Sequence, residues 1–246
     1  MKITVITVCL NSEKTIEKTI KSVLNQSYKN IEYIIWDGGS KDRTKKIVKK
    51  YLSDPRIVFI SKKDKGPGDA LNKSFKIANG KFLNFLGADD LFYDNNVIGR
   101  VCDFLKKNQE LDGLYGNLSY FGNKFLKRKW VPSVYSGEDF LLGWGVPFPT
   151  LFFKKELVIL YGGLDTSIDI CDDFDLIFRY FYVHRRKLSY LDSMFVNMNS
   201  NGRSATFKAR FKSFFEILHI FKKYKIKINP YAFFIRRYVY KIKQFF

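Results

Sequence analysis

The chain predicts an α/β domain built on a doubly wound, mostly parallel sheet flanked by helices, with an amphipathic helical tail behind it. Three observations predict it. From residue 3 to residue 90, short apolar runs alternate with segments of helical periodicity in the order strand, helix, strand, helix, strand, helix, strand. Three of the four strand ends carry polar or acidic groups: Thr7 to Asn11, Asp37 with Ser40 and Asp42, and Asp89 with Asp90. Loops at the carboxyl ends of such strands converge on ligands. Beyond residue 207 the composition turns aromatic and basic.

Ile3 to Val8 is β-branched at nearly every position, the pattern of a strand buried on both faces. Ser12 is the expected N-cap of a helix carrying Ile16, Ile20, Val23 and Leu24 on one face. IEYIIWD, residues 31–37, is a second apolar strand ending in a carboxylate, followed by the loop GGSKD and a helix with Ile47, Val48, Tyr51 and Leu52. Ile57 to Ile60 gives a third strand. After SKKDKGPGD, a helix presents Ala70, Leu71, Phe75 and Ala78 and leads to the fourth strand in KFLNFLGADD, residues 81–90. A further helix carries Val97, Ile98, Val101, Phe104 and Leu105. The alternation then fades. GLYGNLSYF and KFLKRKW read as two strands around Gly122 and Asn123, and residues 143–157 as a shaped Gly/Pro/aromatic loop leading into a short strand and helix.

A chain of 246 residues with 46% hydrophobic and 27% charged residues can bury a real core. Its net charge of +19 and 17% aromatic content suit an anionic partner. Cys9, Cys102 and Cys171 have no metal-ligand spacing and suggest a reducing compartment. The apolar start is too short for a signal peptide, and Phe140 to Phe153, the longest uncharged apolar stretch, is interrupted by Gly143, Gly145, Pro147 and Pro149. A cytoplasmic or peripheral membrane protein is expected. Neither GxGxxG after the first strand nor GxxxxGK[ST] occurs, so phosphates would be managed by a metal rather than by a glycine cradle.

Two carboxylates ~4 Å apart repel by about 1 kcal/mol in water and about 4 kcal/mol in a partly buried site. Asp89 and Asp90 therefore either cap the helix starting near Asn95 or hold a hard divalent cation, Mn2+ or Mg2+. DTSIDICDDFDLIFRYF, residues 165–181, holds five aspartates in eleven positions. Asp169, Asp172 and Asp175 fit as caps or dipole partners, and one carboxylate aimed into a cleft fits as a general base. The tail carries eleven Lys and Arg against Glu216 alone, a net +10. Phe207, Phe211, Phe214, Phe215, Leu218 and Phe221 make one stripe, and Phe234, Ile235, Tyr238, Val239, Ile242 and Phe246 another. Such helices either dock on the domain or lie on an anionic membrane surface. Without an RNA-binding motif, nucleic acid is not the expected partner.

The stretches from ITVITVCLNSEKTIEKTIKSVLNQSYKNIEYIIWDGGSKDRT through SKKDKGPGDALNKSFKIANGKFLNFLGADD to CDDFDLIFR and NSNGRS together resemble an inverting family-2 glycosyltransferase of GT-A fold. The likeness runs from Ile3 to about Ser204 and is to bacterial enzymes of exopolysaccharide, O-antigen or capsule synthesis. It implies a catalytic domain over 1–206, with a nucleotide-sugar donor half (1–94) and an acceptor and catalytic-base half (95–206), before the tail at 207–246. It also implies that Thr7, Val8, Asn11 and Asp37 line the nucleotide site, with Asp69 and Asn72 near the ribose and donor sugar. Asp89 and Asp90 stand for the metal motif, Asp89 also meeting the donor, while Arg203 and Ser204 lie near the donor phosphates. Asp173 is the implied base, and Trp144, Pro147 and Asp172 lie on the acceptor side. The implied partners are a UDP-sugar and a saccharide acceptor on a polyprenyl diphosphate, at the inner face of a bacterial plasma membrane. Gly87 stands where the family often has a third acid, and DKGPGDA where it often has DKGIYDA. A metal-dependent nucleotidyltransferase and a basic membrane or nucleic-acid binding module are the alternatives.

Overall fold

The computed structural model describes residues 1–121, 128–200, 207–242 and 244. The expected turn at Gly122 and Asn123, and Phe246 at the end of the second stripe, lie outside them. Strands β1 (Ile3–Cys9), β2 (Ile31–Asp37), β3 (Ile57–Ser61) and β4 (Phe82–Phe85) are all parallel, in the order β3-β2-β1-β4. β1 and β2 are buried nearly throughout because helices cover both faces, whereas β3, at the edge, is half exposed.

The expected α/β class holds, and the second half of the sheet mixes directions. β5 (Leu91–Phe92), β6 (Gly113–Phe121), β7 (Arg128–Trp130), β8 (Phe152–Lys154) and β9 (Leu188–Asn199) extend it as β4-β8-β6-β9-β5, with β7 on β6. β8 is antiparallel to both β4 and β6, and β6 runs parallel to β9. β9 was not legible in the sequence. Its residues are mostly half-buried and its register against β6 slips between Tyr115 and Leu118, which breaks the period of two.

Helices α1 (Ile16–Leu24), α2 (Thr44–Lys49), α3 (Pro67–Ile77) and α4 (Val97–Lys107) follow the expected segments. Ser12 does not cap α1 through its side chain. The Ser12 carbonyl accepts the N–H groups of Thr15 (3.1 Å) and Ile16 (3.0 Å), and its Oγ turns to the Leu10 carbonyl. α1, α2 and α4 bury Ile16, Ile20, Val23, Val48, Val97 and Val101 against one face of the sheet. The other face carries α3, α5 (Lys155–Tyr161), α6 (Asp172–Ile177), α7 (Phe207–Lys223) and α8 (Pro230–Ile242).

The two tail helices dock by one side. Ile217, Ile220 and Phe221 of α7 and Phe233 of α8 are buried in the core beneath α6. The expected stripe of α7 is split, because Phe211 and Phe215 stay 64% and 54% exposed. Charge reinforces the dock. Lys223 Nζ donates to Asp165 (2.9 Å) and to the fully buried Asp175 (2.9 Å), which also accepts from Tyr224 Oη (2.9 Å). Lys212 pairs with Asp169 at 2.8 Å. Asp165, Asp169 and Asp175 thus answer the tail's positive charge rather than capping α6. Glu216, the tail's one acid, accepts the N–H groups of Asp169 (3.2 Å), Ile170 (2.9 Å) and Cys171 (2.9 Å), fixing the loop that opens α6. At Gly143 (φ 84°), an added Cβ would stand 2.7 Å from the Arg237 nitrogen and 2.7 Å from the Phe233 carbonyl, so glycine lets α8 approach. Among the described residues, no helix is long and apolar enough to cross a membrane.

Candidate active site

The last rung of the parallel sheet aligns Cys9, Asp37 and Ser61. Asp37 is fully buried, accepting from Ser61 Oγ (2.7 Å) and the Ser40 N–H (3.1 Å). Asp42 and Asp64 stand close by. Burial, followed by the charges of Asp37, Asp42 and Asp64, pushes the Cys9 thiol up to about 12. Asp64 was missed in the sequence reading. Its carboxylate would lie 2.7 Å from a Cβ at Gly38, so it closes over the end of β2, and it accepts the Gly66 N–H at 2.9 Å. The available signal was an acid directly before α3, in a loop that must return to the same sheet end.

Thr7 is buried, donating to the Leu86 carbonyl (2.8 Å) and accepting from Tyr33 Oη (3.1 Å), so it ties β1 to the chain leading into Asp89. Val8 is half-buried against the α3 side of the core. Asn11 adopts φ 50°. Its Oδ1 accepts the Lys41 N–H (2.9 Å) and its own N–H donates to Ser40 Oγ (2.8 Å). Asn11, Lys14, Thr15, Asp42 and Asp89 line one open cleft of about 460 Å³.

Asp89 and Asp90 lie between β4 and β5, and neither caps α4, which begins after Asn96. Asp90 is 4% exposed, and its Oδ1 accepts the Asn199 N–H at 2.9 Å. Burial pushes its carboxyl up to about 7, with the charge of Asp89 adding to the rise against the Asn199 hydrogen bond. Burial raises half-buried Asp89 as well. Gly87 has a steric reason. A Cβ there would stand 2.6 Å from Asp90 Oδ2 and 3.3 Å from Asp89 Oδ1, so the two carboxylates occupy the space a third acid would need. A pair of adjacent acids that both resist ionisation fits a hard divalent cation. Among the described residues no third Asp, Glu, His or Cys completes a metal cluster, so phosphate oxygens and water would supply the remaining ligands.

The other expected donor residues make contacts within the chain. Asp69, in the first turn of α3, pairs with Lys73 (2.7 Å) and accepts the Lys65 N–H (2.9 Å). Asn72 clamps Leu164 by two 2.8 Å hydrogen bonds, one to its carbonyl and one from its N–H. Arg203 and Ser204 lie outside the described residues.

Asp172 and Asp173 form the first turn of α6. Asp172 Oδ1 accepts the Asp173 N–H (3.0 Å), and its Oδ2 comes within 3.2 Å of the Cβ position of Gly68. The space that Pro67 and Gly68 leave open is therefore filled by Asp172. Asp173 accepts the Phe174 N–H at 2.7 Å and lines a second cleft of about 160 Å³ with Trp130, Pro147, Phe148, Phe174 and Met198. Pro147 is on this wall, as expected of an acceptor side. Trp144 is not. It is 2% exposed, stacked on Tyr135 and edge-on to Tyr115 and Phe140, so it supports the cleft from the core. Asn84, inside β4, fixes the loop above by donating to the Pro149 (2.9 Å) and Leu151 (3.0 Å) carbonyls. Arg237 of α8, one of the tail's eleven cations, also lines the second cleft.

The end of β9 links the acid pair to the second cleft. Met198 lines the cleft of Asp173, while the next residue, Asn199, donates its N–H to Asp90. Tyr120, on the same wall, feels the Asp90 charge as well as its own burial, and both raise its phenol.

Comparisons with known proteins bear on the family and the fold. The chain is 37% identical over 136 residues to an uncharacterised glycosyltransferase of Rickettsia conorii, covering 55% of this chain and 22% of that protein. It is 32% identical over 150 residues to WfgD of Escherichia coli, named as a UDP-Glc:α-D-GlcNAc-diphosphoundecaprenol β-1,3-glucosyltransferase, covering 60% of this chain and 58% of that one. The chain thus spans well under two thirds of either relative. Staphylococcus aureus TarS with UDP-GlcNAc shares the fold over 99% of this chain and 74% of its own, at TM-score 0.74 and 18% identity. The Pyrobaculum calidifontis mannosyltransferase PcManGT with GDP-Man and Mn2+ does so over 97% and 69%, at TM-score 0.70 and 17% identity. The family described as glycosyl transferase family 2 matches residues 4–154, which is more than half of the chain and takes in both sheet ends bearing Asp37 and Asp90. The chain belongs to glycosyl transferase family 2.

Proposed function

We propose that the protein transfers a sugar from a UDP-sugar to a hydroxyl of a lipid-linked saccharide, with inversion at the anomeric carbon, in cell-surface polysaccharide synthesis. The observation that carries this reading is the junction at Met198 and Asn199: Met198 lines the aromatic cleft holding Asp173, and the Asn199 N–H binds Asp90, whose neighbour Asp89 lines the larger cleft. The donor occupies the larger cleft, its base toward the sheet end organised by Asp37 and Asp64. Asp89 and Asp90 would hold a Mn2+ or Mg2+ ion, which would supply neutralisation of the charge that develops on the leaving diphosphate. Asp173 receives the proton of the accepting hydroxyl as its oxygen bonds to the anomeric carbon and UDP departs. One base and one displacement give inversion. WfgD's named acceptor, a GlcNAc-diphosphoundecaprenol, supports a lipid-linked acceptor for this chain. The test is product analysis after incubation with UDP-glucose or UDP-GlcNAc, Mn2+ and a short-chain GlcNAc-diphospholipid. Release of UDP with a β-linked disaccharide lipid is expected. Release of pyrophosphate from UTP and a sugar 1-phosphate, in a parallel incubation, would favour a nucleotidyltransferase instead.

The tail fits an anionic lipid surface. Tyr231, Ile235, Tyr238 and Ile242 recur at helical spacing and are 84%, 64%, 66% and 41% exposed. At about 100° per residue they form a stripe opposite Phe233, Arg237 and Tyr240, the docked side of α8. Arg236 and Lys241 are exposed on the two flanks of α8, between that stripe and the docked side. Ile235→Glu combined with Tyr238→Glu is expected to weaken binding to phosphatidylglycerol vesicles by at least about tenfold, read by co-sedimentation. Undiminished binding would exclude α8 as the anchor.

A further inference from the structure

Among the described residues, Arg237 is the one tail cation that lines the cleft of Asp173. α8 brings it there by resting on Gly143, whose missing Cβ would otherwise collide with the Arg237 backbone and side chain. Its guanidinium lies over the Phe174 ring, 5.5 Å from the centroid, and its Nη1 is 3.8 Å from the Cβ position of Gly145. Among the described residues, no carboxylate comes within ion-pair distance of it, and no protein acceptor takes its N–H groups. A guanidinium offers five donors in a planar fork. Burial presses against its charge, and the Asp173 carboxylate acts in the opposite sense. The cleft therefore combines a carboxylate, an aromatic and proline wall, and a cation with spare donors. The carboxylate suits a hydroxyl, the wall suits the apolar face of a sugar ring, and the cation suits an anion.

We propose that Arg237 binds a phosphate group attached to the accepting sugar, so that the tail helix helps select phosphate-bearing acceptors. This rests on the sugar-transfer reading above and names the acceptor chemistry of that same site. Bidentate geometry favours the phosphate of a sugar phosphate or diphosphate ester. α8 turns its opposite, apolar stripe outward, and a helix is only about 10 Å across. A phosphate held by Arg237 is thus near the level of the lipid headgroups, which suits a lipid-linked ester. A soluble sugar phosphate offers the same chemistry.

Three acceptors separate these cases: GlcNAc on a short-chain diphospholipid, GlcNAc 1-phosphate, and a phosphate-free octyl glycoside of GlcNAc. Each is tested with wild type, Arg237→Gln and Arg237→Lys, with melting temperatures showing that all three are folded. Arg237→Gln is expected to raise KM for phosphate-bearing acceptors by about 10- to 100-fold with kcat little changed, to leave the octyl glycoside unaffected, and to be partly rescued by Lys. An effect confined to the diphospholipid assigns a lipid-linked source, and an equal effect on GlcNAc 1-phosphate assigns the shared phosphate. Equal loss on all three acceptors, or a shifted kcat pH profile at constant KM, overturns the proposal in favour of Arg237 acting on Asp173. If wild type transfers to none of them, the sugar-transfer reading falls. Binding of the diphospholipid, followed by the fluorescence of cleft residue Trp130, then decides: loss in Arg237→Gln supports the phosphate site, and equal binding overturns it.

Discussion

Asp173→Asn is expected to lower kcat by about 10²- to 10⁴-fold while UDP-sugar binding, measured by calorimetry, stays at the wild-type level. The reasoning is local. The Asp173 side chain accepts the Phe174 N–H at 2.7 Å, a bond an asparagine Oδ1 can keep, so the first turn of α6 need not rearrange. What disappears is the capacity to take a proton. Donor binding depends on the other cleft, across β9, and should not register the change. Asp172→Asn is the control. Asp172 is turned toward its own turn and toward Gly68, and it is absent from the cleft wall, so most activity should survive. Near-normal turnover in Asp173→Asn, or a larger loss in Asp172→Asn, would move the base assignment to another residue.

That test involves residues whose neighbourhood was only partly legible in the sequence. β1 to β4 could be read because strands covered on both faces are continuous apolar runs, and their ends are marked by Asp37 and by the Asp89–Asp90 pair. The charge pattern of residues 165–175 was visible, but its partners were not. Asp169 and Asp175 looked like helix caps until α7 supplied Lys212 and Lys223, more than forty residues away in the chain. Glu216 was one acid in a basic segment, and nothing local reveals that it accepts three N–H groups at the start of α6. The places of Trp144 and Arg237 were illegible for a similar reason. Glycine- and proline-rich loops hide whether an aromatic faces inward, and an arginine on an amphipathic helix shows its docked side only when the helix has a surface to rest on. Asp64 was hidden by its loop, since only the fold carries that carboxylate over Gly38 at the end of β2.

Asp90→Asn is expected to abolish metal-dependent donor binding and, in metal-free protein at pH 8, to raise the melting temperature. The two effects have one cause. Burial drives the Asp90 carboxyl from its ordinary value of 3.8 up to about 7. A folded state that holds a proton more tightly than the unfolded chain loses stability as pH rises from the unfolded value through the folded one. Relative to Asp90→Asn, the metal-free wild type should therefore be matched below about pH 4, lose ground from about pH 4 to 7, and keep a constant deficit above that. The deficit is at most about 4 kcal/mol, because each pKa unit corresponds to about 1.4 kcal/mol. Asparagine retains an acceptor for the Asn199 N–H, so its gain is not offset by an orphaned donor. Mn2+ should reverse the order by stabilising the wild type through binding to the native state alone. Thermal melts across pH 4 to 9, with and without Mn2+ and UDP, check both halves together. A destabilised Asp90→Asn at pH 8, or one that still gains stability from Mn2+ with UDP, would show that Asp90 is a structural acid rather than a metal ligand held ready at the cost of stability.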